Sequence, residues 1–136
     1  MTEKLSSIYQ EIVSQAAAVL KALADPNRLR IFELLMQQGD SCNRELNERL
    51  GLSPNLLSHH LRVLREAGLI RSRQDARDGR WVYYSIDRAA VARWCAWFAE
   101  LLNPARAQQR AVVCGPEGQQ AAVSLLSRPP EPNEPT

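Results

Sequence analysis

Apolar residues recur at helical spacing from Ser6 to about Ala24, through Ile8, Ile12, Val13, Ala16, Val19, Leu20 and Leu23. Asp25-Pro26 then restarts a helix, with a capping carboxylate followed by a proline at the first helical position. Leu29, Ile31, Phe32, Leu34 and Leu35 are its apolar content, and Gly39-Asp40 ends it. A short helix is predicted from about Asn43 to Leu50, with Leu46 and Leu50 inward. Gly51-Leu52-Ser53 is a tight turn into the best-marked helix of the chain. There Ser53 suits the cap, Pro54 the first helical position, and Gly68 the left-handed residue beyond the last turn. Leu57, Leu61 and Leu64 face a core from it. Helix, short glycine-containing turn, helix is the helix-turn-helix arrangement.

After Gly68 the period changes from helical to alternating. Leu69–Gln74 and Arg80–Ile86 read as two strands, joined through the hairpin turn signal Asp78-Gly79. A hairpin directly after such a helix is a wing. Asp87 caps a last helix, roughly Arg88 to Asn103, which Pro104 stops. Val91, Trp94, Cys95, Phe98, Leu101 and Leu102 form a stripe along it. Trp94, Phe98 and Leu101 are more apolar surface than one small domain buries alone, which predicts a homodimer through the first and last helices. The predicted fold class is mainly α with a small β-hairpin wing, a dimeric winged helix-turn-helix. Residues 1–103 make up the DNA-binding and dimerisation domain. Residues 104–136 are a largely flexible C-terminal extension, in which Ala121–Leu126 extends a helix and the Pro- and Glu-rich 128–136 is expected to be disordered.

A length of 136 residues fits one domain, and a hydrophobic share of 45% is enough for a core. The net charge of +2 does not make the chain basic as a whole, but its cations are 15 Arg against 2 Lys. Arginine suits bidentate contacts with phosphate and guanine. No apolar run approaches the ~20 residues that span a bilayer, and the start, Met1-Thr2-Glu3-Lys4, lacks a secretory pattern. Three widely spaced cysteines are not a disulfide framework, so the expected compartment is the reducing cytoplasm, with no membrane partner.

Asn55, Ser58, His59 and Arg62 fall opposite the leucine stripe of the helix after Ser53, and Leu56 also points outward. A polar face nearly free of acids is what a major groove accepts, and Leu56 can meet a thymine methyl. Between Pro54 and Arg80 there are six Arg and three acids, an excess that attracts phosphate. The wing adds Arg71, Arg73, Arg77 and Arg80 for backbone or minor-groove contact. These residues make double-stranded operator DNA the expected partner. The pair His59-His60 is no chelate, because adjacent helical side chains point about 100° apart. There is no nucleophile–base pair, glycine-rich phosphate loop or carboxylate dyad in a plausible setting, so no enzyme is expected and no catalytic cofactor.

The thiols are Cys42, Cys95 and Cys114. Cys42 opens a predicted helix, a position that favours a thiolate and equally its oxidation. Cys95 lies on the apolar stripe of the last helix, where it is either a buried small hydrophobe or a ligand. Cys114, before Gly115-Pro116, is expected to be an exposed thiol on a loop.

The chain resembles the ArsR/SmtB family of winged-helix repressors over about Ala16 to Leu102. The resemblance rests on Leu23-Ala24-Asp25-Pro26-Asn27-Arg28-Leu29-Arg30-Ile31, on the run from Leu52 to Ile70, and on Gly79-Arg80-Trp81-Val82-Tyr83-Tyr84. It implies a homodimer that binds an operator and leaves it when inducer binds. Ser41-Cys42-Asn43-Arg44-Glu45-Leu46 is similar to the family's arsenic-type Cys-x-Cys motif, with Arg44 where the second cysteine stands. The inducer site differs between members of the family; the half-matched motif and the chain's thiols make trivalent arsenic or antimony the expected inducer, on Cys42 with a further thiolate from Cys114 or Cys95. The alternative on the same frame is a thiol-based redox or reactive-sulfur sensor.

Overall fold

The computed structural model describes residues 1–126, so the expected disorder of 128–136 lies outside the described residues. The chain divides into two compact units, residues 1–101 and residues from 102 onward. In the first, α1 is Thr2–Leu23, starting one turn earlier than the apolar period. The helix α2 is Pro26–Gln38; the Asp25 carboxylate accepts from the amides of Asn27 at 2.9 Å and Arg28 at 3.1 Å. Those amides hold the Asp25 carboxyl below the usual carboxylate range, Arg28's contributing most.

The helix α3, Asn43–Leu50, ends at Gly51, whose φ of 66° is the left-handed conformation that glycine adopts without strain. Asn47 Nδ2 donates to the Leu52 carbonyl at 2.7 Å and ties the turn down. Then α4, Pro54–Glu66, begins where Ser53 Oγ accepts from the Leu56 amide at 3.2 Å. Past it, Gly68 takes a φ of 79°, as its place beyond the last turn requires.

Three strands form one antiparallel sheet in the order β1-β3-β2, with β1 Ser41–Cys42, β2 Ile70–Gln74 and β3 Val82–Ile86. The hairpin of β2 and β3 is the expected wing. The strand β1 is an addition: Ser41 pairs with Tyr84 and Cys42 with Tyr83. Two residues carry no readable period, so this pairing is a tertiary fact. The helix α5, Arg88–Leu101, ends two residues short of the expected Asn103, and Asp87 Oδ1 accepts from the Ala90 amide at 3.0 Å at its start.

The helices α1 to α4 and the β2–β3 hairpin send side chains to one core, and Val91, Trp94 and Phe98 of α5 pack against it. Val19 and Ala22 come from α1, Ile31 and Leu35 from α2, Leu46 from α3, and Leu57, Leu61 and Leu64 from α4. Leu69, Ile70 and Tyr84 close it from the sheet side. The core therefore fixes which face of α4 turns outward.

In the second unit a single 3-10 turn, Pro104–Arg106, precedes α6, Gly115–Leu126. The sequence places only Ala121–Leu126 in a helix and Gly115-Pro116 in a loop. In the structure these two residues open the helix, where a proline's missing N–H costs nothing. Gly118 fits because the Val113 backbone approaches so closely that a Cβ would lie 2.3 Å from its carbonyl carbon.

Candidate nucleic-acid interface

The two faces of α4 differ sharply. Leu57, His60, Leu61 and Leu64 are buried, each at most 4% exposed. Asn55, Leu56, Ser58, His59 and Arg62 are all exposed, as the sequence places them, with Leu56 at 40%. The only acid on α4 is Glu66, in its last turn. The outer face thus offers amide, hydroxyl, imidazole, guanidinium and one apolar side chain, and no carboxylate along its first nine residues. Such a surface suits base edges and phosphates.

The wing arginines are unequal. Arg71 and Arg77 are exposed and pair with no carboxylate among the described residues. Arg80 instead grips Asp78, with Nη2 to Oδ2 at 2.8 Å and Nε to Oδ1 at 3.0 Å. This bond depresses the Asp78 pKa and raises that of Arg80. Arg73 lies with Cζ 4.6 Å from the centre of the Tyr83 ring and Nη2 3.4 Å from Asp40 Oδ2. Arg73 and Arg80, read from the sequence as two more wing cations, are therefore partly spent on shaping the wing. Both pairs are solvent-exposed and weak, so a phosphate can compete for them.

The two histidines have different surroundings. His59 is exposed, whereas His60 is 4% exposed and turns its Nδ1 to Arg28 Nη1 at 3.1 Å. Burial, first of all, holds the His60 pKa below 6.5. Arg28 also donates from Nε to the Ala22 carbonyl at 2.6 Å and from Nη2 to the Lys21 carbonyl at 3.4 Å. One guanidinium thus joins the end of α1 and the start of α2 to the buried side of α4. The sequence reading missed this role. The signal was present: 57, 60, 61 and 64 share one helical stripe, and His60 belongs to it.

Cys42 is half-buried at the cap position of α3, with no side-chain hydrogen bond to the helix. Cys95 is exposed, so of its two readings the buried small hydrophobe does not hold. The stripe turns instead through Trp94, Trp97 and Phe98. Trp94 stacks on Phe98 at 5.7 Å between centroids, and Trp97 meets Phe98 edge-on at 5.3 Å. Cys114 is exposed and immediately precedes α6. All three cysteines are free thiols, and among the described residues no group of three or more His, Cys, Asp or Glu is placed to hold a metal ion.

A helix-turn-helix with an acid-poor second helix, flanked by an arginine-bearing hairpin, defines a winged-helix DNA-binding regulator. The family model described as bacterial regulatory protein, arsR family, matches residues 25–72, from the cap of α2 into β2. The chain is 35% identical over 111 residues to the arsenical resistance operon repressor of Escherichia coli K12, covering 81% of this chain and 83% of that protein. It is 42% identical over 76 residues to the arsenic resistance transcriptional regulator ArsR1 of Pseudomonas putida, 56% of each chain. Among solved structures, the homodimeric winged helix-turn-helix DNA-binding domain from Mycobacterium bovis matches with a TM-score of 0.57. That likeness is at 31% identity and covers 68% of this chain and 82% of that one. The protein belongs to the ArsR family and is a transcriptional repressor, not an enzyme. No helix among the described residues is long and apolar enough to cross a membrane.

Proposed function

We propose that the chain binds operator DNA as a homodimer, reads it with the outer face of α4, and leaves it when a thiophilic inducer binds. The observation that carries the DNA reading is the division of α4, with four side chains locked in the core and Asn55, Leu56, Ser58, His59 and Arg62 outside. Phosphate contacts fall to the wing, chiefly Arg71 and Arg77, with Arg73 and Arg80 exchanging their carboxylates for the backbone. The dimer is supported by the apolar side chains that α1 and α5 leave uncovered, and by the homodimeric relative. Two α4 helices related by a twofold would enter grooves one turn apart, ~34 Å. Residues 1–101 carry all of this, and residues from 102 onward carry Cys114.

The test is an anisotropy titration against a duplex selected in vitro by the wild-type chain. Arg62→Ala is expected to weaken binding by about 1–3 kcal/mol, with far-UV dichroism unchanged. Wild-type affinity in Arg62→Ala and in Ser58→Ala combined with His59→Ala would move recognition to another element.

For the inducer, the reading is trivalent arsenic or antimony held by thiolates. It is supported by the two arsenic-resistance relatives and by Cys42 at the start of α3, directly before the recognition helix. Arg44 leaves α3 with a single thiol, so a further sulfur comes from Cys114 or from Cys95, whose exposure now makes it available. The same exposed thiols favour the second reading, release by oxidation or reactive sulfur. Each cysteine is changed to serine and release from the duplex is followed with arsenite, then with peroxide. Cys42→Ser is expected to lose at least about tenfold in arsenite sensitivity, as a lost ligand or its outer-shell support does. Arsenite release that survives loss of all three thiols overturns the thiol site. Reversible release by peroxide alone establishes the redox reading instead.

A further inference from the structure

The face of α4 turned away from DNA holds one ionisable side chain among leucines, His60. Its Nε2 is buried with no hydrogen-bond partner among the described residues, and its Nδ1 lies 3.1 Å from a guanidinium nitrogen of Arg28. A guanidinium only donates, so Nδ1 must be the acceptor and the proton of the neutral ring sits on Nε2. A second proton would have to go on Nδ1. It would remove the acceptor, set two cations in contact, and leave the charge without water.

Arg28 cannot simply withdraw, because its Nε is bonded to the Ala22 carbonyl at 2.6 Å and its Nη2 to that of Lys21. The other charged groups nearby give no relief. The Asp25 carboxylate attracts a proton toward His60, but its Oδ1 is held by two α2 amides. Lys21 of α1, His59 and, at the far end of α4, Glu66 line with Arg28 one cleft of about 400 Å³.

We propose that Arg28 and His60 are a positioning pair for the recognition helix that holds only while His60 is neutral. Operator affinity is then lost on acidification before the fold is lost. This inference rests on α4 as the DNA-reading helix. The direction follows from the buried ring's reluctance to take a proton. Near neutral pH the pair is intact. Below about 6.5 a released ring accepts a proton that the seated ring refuses, so the seated state loses up to about tenfold in relative population per pH unit. That loss continues until the pH reaches the lowered value of the seated ring. His59 cannot produce the same result, since a cation gained on the outer face strengthens attraction to phosphate.

The experiment measures the affinity of the full chain for its selected duplex at pH 7.5 and pH 5.5, at one salt concentration. In parallel, the ring nitrogen resonances of both histidines are followed in the free protein. The expected result is at least threefold weaker binding by the wild type at pH 5.5 with native dichroism, and a ratio within twofold of one in His60→Gln. The glutamine carbonyl can replace the acceptor for Arg28 but takes no proton. A fall in affinity that persists in His60→Gln, or no fall in the wild type, overturns the proposal. Should His60→Gln not fold, the resonances decide: affinity that falls while His60 remains neutral overturns it, and affinity that tracks its protonation supports it. No binding at pH 7.5 would instead be a failure of the DNA-binding reading itself.

Discussion

Leu64→Ala is expected to lower the unfolding free energy by about 2–5 kcal/mol. Leu64 is wholly buried, with the leucines of α4, Ile31 and Leu35 of α2, and Leu46 of α3 around it in the same core. Truncation removes the transfer free energy of the lost methyl groups and leaves a hole between helices that are held from three sides. The loss is large beside the total of about 5–15 kcal/mol that a domain has. Leu56→Ala is the control. Leu56 is one position from Leu57 yet 40% exposed on the opposite side, and its loss is expected within about 0.5 kcal/mol. Denaturant unfolding at a fixed protein concentration measures both. A cost below 1 kcal/mol for Leu64, or equal costs for the two, would mean that the faces of α4 are not divided as described.

Phe98→Glu is expected to produce a monomer of 15.3 kDa and to weaken operator binding by about 100-fold or more. One protomer keeps only half of the phosphate and base contacts. Phe98 stacks on Trp94 and packs against the core from α5, so the substitution puts a charge into an apolar aromatic cluster. A destabilised fold would mimic this outcome. Ile8→Glu avoids that problem, since Ile8 is 45% exposed on α1 among Leu5, Tyr9 and Val13, outside the core cluster. Light scattering at micromolar concentration should give a dimer for the wild type and a monomer for both variants. Dimers in both would place the interface elsewhere than α1 and α5.

What the sequence made legible was set by local chemistry. The cap-and-proline pairs Asp25-Pro26 and Ser53-Pro54 mark the starts of α2 and α4 to the residue, because the cap carboxylate and hydroxyl act within their own turn. The outer face of α4 follows from periodicity alone. The strand β1 did not follow, since Ser41 and Cys42 become a strand only because Tyr83 and Tyr84 lie alongside. The sequence leaves Cys95 open between a packed residue and a ligand, because a stripe at i, i+3, i+4 shows which side of a helix is apolar, not whether the chain itself covers it. The helix α6 was largely hidden, since Gly115-Pro116 ahead of Ala121–Leu126 reads as a loop, whereas the two residues open the helix. Arg73 and Arg80 read only as wing cations because their ion pairs are set by the fold, Asp40 coming from the residues before β1 and Asp78 from the wing turn itself.

Two copies of α4 are expected to enter DNA together. Hydroxyl-radical and methylation footprinting of the wild-type chain on its selected duplex tests it most directly. The expected pattern is two protected major-groove segments about one helical turn apart, ~34 Å, related by a twofold, with the flanking minor groove covered by the wings. Protection lost at the groove but kept on the backbone is expected for Arg62→Ala. A single protected segment, or protection confined to the minor groove, would contradict the account.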